Sequence, residues 1–276
     1  MNSRVSLGAF PVLASALFFS ACSSNAPTTS VTPAPPAVQE RNWGYVANAE
    51  TAGPSDWVSL PGNAACAAGK KQSPVDLATR APFPVEAKDL PNLVFRYGTT
   101  KLHLVNKGHT VQADVEKGST VEIDGAAWAL LQLHFHAPSE HSLDGLHYPM
   151  EMHLVHAGPD GKPGLVVGVF LVQGGDNPAF TPLLSDLPKV KGARKDDSSV
   201  TVDLAKLLPE NRAYLAYDGS LTTPPCTEGI RWYVLQSPMG ITGEQLGAFV
   251  TVPGMNTTNR PVQPLAGRKV LLDTTP

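Results

Sequence analysis

The histidine-rich stretch at residues 131–156 constrains the fold of this 276-residue chain more than any other feature. It reads LQLHFHAPSEHSLDGLHYPMEMHLVH and holds six of the eight histidines. On a β-strand, His134 and His136 point to the same face because side chains alternate. His153 lies in a second alternating segment, and if the two segments are antiparallel neighbours, three imidazoles converge. Three histidines without an evident fourth protein ligand are typical of a catalytic zinc site, since a fourth ligand closes a structural one.

The same strand faces carry groups that can orient those imidazoles. Gln132 shares the face of His134, and Glu151 shares the face of His153. A ligating imidazole usually donates its other N–H to an amide, a carboxylate or a backbone carbonyl. We therefore predict three histidine ligands with Gln132 and Glu151 as their partners, and an all-nitrogen site favours zinc. Structural or surface roles are predicted for His141, His147 and His156.

Composition favours a β-rich fold with many turns, because Gly (24) and Pro (26) are plentiful and helical periodicity is scarce. The net charge of −3 gives no basic field of the kind that binds nucleic acid. Short alternating runs predict strands at residues 93–97, 101–106, 110–115, 120–123, 127–136, 151–156, 165–172 and 231–236. Short helices are predicted at 178–187, 203–208 and 242–249.

The amino terminus predicts export. Residues 1–21 have one positive charge and then a short apolar run, which is typical of a secretory signal peptide. The tail Phe19-Ser20-Ala21-Cys22 resembles a bacterial lipobox, so Cys22 is a candidate for lipidation and membrane tethering. Cleavage near Ala21 without lipid is the alternative. Residues 22–40 are rich in Pro, Ser, Thr and Ala and predict a disordered tether. Residues 41–276 then form the folded domain, in the periplasm or cell envelope.

Two cysteines remain in that domain, Cys66 and Cys226. An exported chain meets an oxidising compartment, so we predict that they form a disulfide. The alternative is a pair of free buried thiols.

Glu140 completes a HxHxxxE pattern that also occurs in cupins, where the glutamate is a metal ligand. The cupin pattern places glycines at positions that hold Trp128 and His147 here. A cupin site is therefore disfavoured.

Further motifs follow one another in order after residue 41. They are WGY at 43–45, QSPVD at 72–76, NKGH at 106–109, QLHFH at 132–136, EH at 140–141, EMHLVH at 151–156, GSLTTPPC at 219–226 and NRPVQP at 259–264. In this combination and order, the chain resembles the α-class carbonic anhydrases.

The resemblance implies a mainly β (α+β) single domain with a large, mostly antiparallel twisted sheet and small peripheral helices. It implies reversible hydration of carbon dioxide to bicarbonate and a proton, by attack of zinc-bound hydroxide. In that scheme His134, His136 and His153 hold Zn²⁺. Thr222 donates a hydrogen bond to Glu140 and accepts one from the hydroxide.

The resemblance also assigns the surroundings of the metal. Thr223 would line the substrate side, and His109 would be the proton shuttle, since imidazole titrates near neutrality. Tyr45 would join a hydrogen-bonded water network. Lys107 departs from the asparagine of many members, and a cation beside His109 could lower the pKa of that imidazole. The apolar wall for carbon dioxide would be Val155, Val166, Leu221 and Trp232.

Two other classes of protein are disfavoured. A binding or adhesion module of the same fold would have lost zinc ligands, whereas all three histidines, Glu140 and Thr222 are present. A zinc hydrolase for another substrate would need an additional carboxylate base or oxyanion donors, which the sequence does not supply.

Overall fold

The computed structural model describes residues 41–79 and 85–274. Its strands, in chain order, are β1 (Asn42–Trp43), β2 (Thr51–Ala52), β3 (Asp76–Leu77), β4 (Val85–Lys88), β5 (Val94–Arg96), β6 (Thr99–Asn106), β7 (Val111–Asp114), β8 (Thr120–Ile123), β9 (Ala126–His136), β10 (Ser142–Leu143), β11 (Leu146–His147), β12 (Met150–Ala157), β13 (Pro163–Gln173), β14 (Arg194–Asp203), β15 (Tyr214–Ser220), β16 (Glu228–Ile241) and β17 (Val270–Asp273). The α-helices are α1 (Ala65–Ala68), α2 (Thr181–Leu184) and α3 (Gly243–Val250). Three 3₁₀ helices cover Trp57–Ser59, Pro178–Phe180 and Leu204–Leu207.

One 12-stranded sheet organises the described residues, in the order β14-β6-β7-β9-β12-β13-β16-β15-β17-β4, with β8 joining β9 and β5 joining β8. Its pairs are antiparallel except for β13 with β16 and β17 with β4, which are parallel. The predicted mainly β fold with a mostly antiparallel sheet and small helices is confirmed. The predicted neighbours β9 and β12 are indeed paired antiparallel.

The two faces of the sheet carry separate apolar clusters, because side chains alternate along each strand. On one face, Leu133 and Phe135 of β9 and Met152 and Leu154 of β12 belong to the larger cluster. On the other face, a second cluster gathers around Trp232 of β16. His134 and His136 of β9 and His153 of β12 lie on this second face. The apolar core on the opposite face therefore fixes the strands that carry them.

Most predicted elements match the structure to within a few residues. The predicted helix at 178–187 is a 3₁₀ turn followed by the short helix α2, and the one at 203–208 is a 3₁₀ helix. Helix α3 begins with a capping box, in which the Thr242 side chain accepts from the Gln245 N–H and the Gln245 side chain accepts from the Thr242 N–H.

Several strands were not predicted, including β14, β15 and β17. Strand β14 reads RKDDSSVTVD, and only Val202 in it is buried. It pairs with β6 alone at the edge of the sheet, where solvent contact allows a polar sequence. Strand β15 has the opposite character, because six of its seven residues are buried and alternation is therefore lost.

The predicted disulfide is confirmed. Cys66 in α1 and Cys226, which follows β15, are bonded across a sequence separation of 160 residues. Both pack with Trp57 and Ala52 in a third apolar cluster. The bond therefore ties the amino-terminal part of the described chain to the loop that contains Thr222 and Thr223.

The predicted signal peptide, the lipidation candidate Cys22 and the tether lie outside the described residues, and they stay predictions. Within residues 41–79 and 85–274, no helix is long and apolar enough to span a membrane.

Replacing both cysteines by serine should lower the free energy of unfolding by about 2–5 kcal/mol, because the unfolded chain regains the freedom of a long closed loop. Urea denaturation under non-reducing conditions measures this. Wild-type protein in reductant is the control and should shift equally. A double variant as stable as the oxidised wild type would contradict the expectation.

Candidate metal centre

Strand register brings three histidines to one point. His134 of β9 lies directly opposite His153 of β12, and His136 lies on the same face two residues further along β9. One ring nitrogen from each imidazole lies within 4.8 Å of the others. The structure thus brings together the three residues that the sequence marks as ligands.

Each imidazole is oriented by a hydrogen bond at its other nitrogen. Nδ1 of His134 lies 2.8 Å from Oε1 of Gln132, and Nε2 of His153 lies 2.9 Å from Oε1 of Glu151. Nδ1 of His136 donates to the backbone carbonyl of Thr258. The free nitrogens, Nε2 of His134 and His136 and Nδ1 of His153, are left for the common point. Buried Nε2 of His136 has no hydrogen-bond partner among the described residues, as a metal ligand would require.

The three imidazoles are neutral at physiological pH. Burial lowers the pKa of His136 to about 4. Burial, reinforced by the neighbouring imidazoles, also holds the pKa of His134 well below its ordinary value. For His153 burial lowers the pKa, although Glu151 opposes this. Metal ligands must be deprotonated, so the site is prepared to donate three lone pairs.

Glu151 is the buried anion that holds His153. Burial alone would raise the pKa of its carboxyl, but electrostatic attraction to the rings of His141 and His153 and hydrogen bonds from both keep it well below the usual range. Gly168 faces this carboxylate from β13, and a Cβ there would lie 3.0 Å from Oε1 of Glu151. Glycine at this position leaves room for the carboxylate beside the ligand.

His141 supports that carboxylate from behind. Its Nδ1 lies 2.7 Å from Oε1 of Glu151, and its Nε2 lies 2.6 Å from the hydroxyl of Tyr217. His141, Glu151 and His153 also form a close group. Because these atoms already form hydrogen bonds with one another, we interpret the group as a support of the three-histidine site. His141 is thus a structural histidine, as predicted from the sequence.

Glu140 lies at the edge of the three-histidine point. Its Oε1 accepts from the backbone N–H of Arg260 at 2.9 Å and from the hydroxyl of Tyr45 at 3.5 Å. Its Oε2 lies 3.5 Å from Nε2 of His136. Burial raises the pKa of Glu140 to about 7, while His153, the Arg260 N–H and the Thr222 hydroxyl act in the opposite sense. Tyr45 therefore contacts this carboxyl directly, whereas its predicted place in a water network stays a prediction.

The loop after β15 delivers Thr222 and Thr223. It is closed by hydrogen bonds from the Leu221 N–H to the Thr227 carbonyl and from the Cys226 N–H to the Thr223 carbonyl. Thr222 is buried, and its hydroxyl interacts with Glu140. Thr223 is partly exposed and lines the cavity in front of the histidines.

That cavity has a volume of about 120 Å³ and a polar lining. It is lined by His109, Thr110, Gln112, Gln132, His134, His136 and Thr223. Thr110 and Gln112 were not among the site residues predicted from the sequence. Gln112 lies opposite His134 on β7, and the alternation of that strand could have placed it on the metal face.

The predicted apolar wall forms one row across three strands. Val155 of β12 lies opposite Val166 of β13, which lies opposite Trp232 of β16. Leu221 packs against the same cluster. The Trp232 ring centroid is 4.8 Å from that of His153, so the wall adjoins the metal site.

His109 lies between this cavity and a larger one of about 310 Å³. Its ring centroid is 4.2 Å from that of Trp43. Burial, His136, Lys107 and Lys191 lower the pKa of His109 to about 4. The predicted effect of Lys107 thus has the expected sign, and Lys191 adds to it.

Comparison with known proteins identifies the family. A family model described as eukaryotic-type carbonic anhydrase matches residues 52–274. A carbonic anhydrase of Nostoc sp. is 37% identical over 244 residues, which cover 88% of this chain and 90% of that protein. The α-carbonic anhydrase from Thermovibrio ammonificans, solved with the inhibitor sulfanilamide, is 40% identical with a TM-score of 0.75, and the match covers 84% of this chain and 99% of that chain.

The same fold also occurs in dioscorin, solved in complex with ascorbate, which is 28% identical with a TM-score of 0.75 over 84% of this chain and 97% of that chain. The family model and the identity to the Nostoc enzyme extend over most of the sequence. The chain therefore belongs to the eukaryotic-type, or α-class, carbonic anhydrase family.

Proposed function

We propose that the chain catalyses the reversible hydration of carbon dioxide to bicarbonate and a proton, with zinc held by His134, His136 and His153. The observation that carries the proposal is the hydrogen bonding of the three imidazoles. Each has one nitrogen bonded to the protein and the other directed to a shared point. Since the fold also occurs in dioscorin, the proposal depends on these side chains more than on the fold.

The donor set fits zinc. Three neutral imidazoles with an open fourth position are the ligand set of a catalytic zinc, and carboxylate and amide partners increase ligand basicity. A zinc ion bound there would act as a Lewis acid that lowers the pKa of water, an effect for which carbonic anhydrases are the standard example.

Thr222 and Glu140 orient the attacking oxygen. A hydroxyl that donates its proton to Glu140 presents only lone pairs to the cavity, so Thr222 can accept from an incoming hydroxide but cannot donate to it. This fixes the hydroxide O–H toward Thr222 and leaves its lone pair toward carbon dioxide. The Arg260 N–H holds Oε1 of Glu140, so that the carboxyl has one defined direction.

The apolar row Val155–Val166–Trp232 gives carbon dioxide a place beside the nucleophile. Carbon dioxide has no net charge and no hydrogen-bond donor. An apolar surface can therefore bind it, and water does not displace it from that surface. Attack of the hydroxide oxygen would form a C–O bond while the electron pair of one C=O π bond moves onto its oxygen, which gives bicarbonate. The polar side of the cavity, with Thr223, then accommodates the bicarbonate product.

The proton released from water must leave the buried site. His109 stands between the inner cavity and the larger outer one, so its ring can accept a proton on one side and release it on the other. A shuttle works best when its pKa is close to the working pH. With the pKa of His109 near 4, proton release is favoured strongly over proton uptake.

Replacing the first ligand by alanine, His134→Ala, should reduce zinc affinity and remove carbon dioxide hydration, because two imidazoles cannot hold the ion in the required geometry. Zinc content and stopped-flow hydration measure this. A matched control is His103→Ala, since His103 pairs with Asp196 away from the site. Normal hydration by metal-free His134→Ala protein would contradict the proposed function.

Thr222→Val should lower kcat/KM by roughly 10²-fold, the scale expected for loss of one positioned hydrogen bond in a buried site. Valine keeps the branched shape of threonine and has a methyl group in place of the hydroxyl. Zinc affinity should be little changed. Thr227→Val, an exposed position in the same loop, is the control and should behave as wild type. Equal activity of both variants would exclude the orienting role of Thr222.

Lys107→Asn should raise turnover in weakly buffered solution. Removing a cation favours the imidazolium, so the pKa of His109 rises toward neutrality and proton uptake improves. The His109 pKa can be followed by NMR, with Lys117→Asn as a control on a distant turn.

His109→Ala should slow turnover, recover with added imidazole, and abolish the effect of Lys107→Asn. If Lys107→Asn acts equally without His109, the shuttle assignment is wrong.

A further inference from the structure

The segment of residues 258–260 touches the metal site twice through its backbone. The Thr258 carbonyl accepts from Nδ1 of His136, and the Arg260 N–H donates to Oε1 of Glu140 at 2.9 Å. The segment belongs to neither a strand nor a helix. Two further hydrogen bonds join Thr258 to Ala137, from the Thr258 N–H and to the Thr258 hydroxyl. A segment without a ladder of hydrogen bonds depends on individual contacts for its position.

The side chain of Arg260 supplies several of those contacts. Arg260 is only 1% exposed. Its Nη1 donates to Oε1 of Gln72 at 2.9 Å and to the Ser73 carbonyl at 2.8 Å, and its Nη2 donates to the Cys66 carbonyl at 2.9 Å. The guanidinium also lies over the Trp57 ring, 5.6 Å from its centroid, where a cation is attracted to the aromatic face.

Burial of the Arg260 guanidinium in the core is energetically unfavourable by itself. Burying a cation costs several kcal/mol or more unless it is well bonded, and within the described residues Arg260 forms no ion pair through its side chain. Burial accordingly lowers the pKa of Arg260, while the Glu140 charge opposes this. A guanidinium, however, has a rigid fork of donors that reaches acceptors in different directions. Here it joins the disulfide-bonded Cys66 and the residues Gln72 and Ser73 to the segment that holds the metal site.

We propose that Arg260 is a positioning residue, whose guanidinium fixes residues 258–260 so that their backbone holds His136 as a ligand and Glu140 as the acceptor of Thr222. The proposal rests on the proposed function for the identity of the metal and the reaction. It adds that a side chain pointing away from the site sets the direction of one ligand and of the orienting carboxyl. Loss of the guanidinium should therefore impair the orientation of the ligand His136 and of the Glu140 carboxyl together.

A second arginine allows a direct comparison. Arg212 also donates to a backbone carbonyl, that of Pro209. It too lies over an aromatic ring, Phe95, at 5.3 Å from the centroid. Among the described hydrogen bonds it makes none to Thr258, to Glu140 or to the groups that orient the three histidines. Arg260→Met and Arg212→Met should both lose stability, but they should differ at the metal site.

The experiment measures the zinc dissociation constant by chelator competition, and kcat and KM for carbon dioxide, on folded full-length protein. Arg260→Met should weaken zinc binding and lower kcat by about 10- to 100-fold each, with KM little changed, as for other residues that orient ligands. Arg212→Met should keep wild-type zinc affinity and kcat. Wild-type values for both quantities in Arg260→Met would overturn the proposal, and so would equal losses in the two variants.

Arg260→Lys covers the case in which the methionine variant does not fold. It keeps the charge, but one ammonium cannot reach all three acceptors, so an intermediate loss of zinc affinity and kcat is expected. A folded Arg260→Lys protein with wild-type values overturns the proposal. If neither variant folds, Arg260 is a determinant of stability and the positioning role is rejected. A wild-type chain that binds zinc without hydrating carbon dioxide would instead reject the proposed function, and the zinc constants would still test Arg260.

Discussion

The pairing of β9 with β12 places His134 opposite His153, and the rest of the site depends on that register. A slip of one residue would turn every side chain of one strand to the other face. The register is fixed from behind, because Leu133 pairs with Leu154 and Phe135 with Met152 in the larger apolar cluster. The metal site is thus the polar side of a pair of strands whose apolar side belongs to the core.

Burial then gives the site its chemical character. It keeps the three imidazoles neutral and makes every unpaired polar atom costly, so the hydrogen bonds to Gln132, Glu151 and the Thr258 carbonyl are strongly favoured. Segments without regular structure must complete this network. They are fastened by the disulfide at Cys66 and, in our account, by the buried guanidinium of Arg260. The three histidines on the sheet are therefore stabilised in part by the disulfide and the guanidinium, which lie outside the sheet.

The sequence predicted the parts of the site that lie on strands. Alternation alone placed His134, His136 and His153 on one face with Gln132 and Glu151, and the resemblance added Thr222 and His109. The sequence did not predict the role of Thr258, because any residue could supply a backbone carbonyl and no residue type indicates one. The contacts of Arg260 were missed for a related reason, since its acceptors come from distant parts of the chain. Among the strands, polar β14 and almost entirely buried β15 escaped prediction because neither shows the alternation of a half-buried strand.

Anomalous diffraction at the zinc edge, from crystals of the wild-type chain grown with zinc, tests the metal site most directly. One strong peak is expected within bonding distance of Nε2 of His134, Nε2 of His136 and Nδ1 of His153, and outside bonding distance of Glu140. A peak between His141 and Glu151, a peak with Glu140 as a ligand, or no peak at the three histidines would contradict the proposed zinc site.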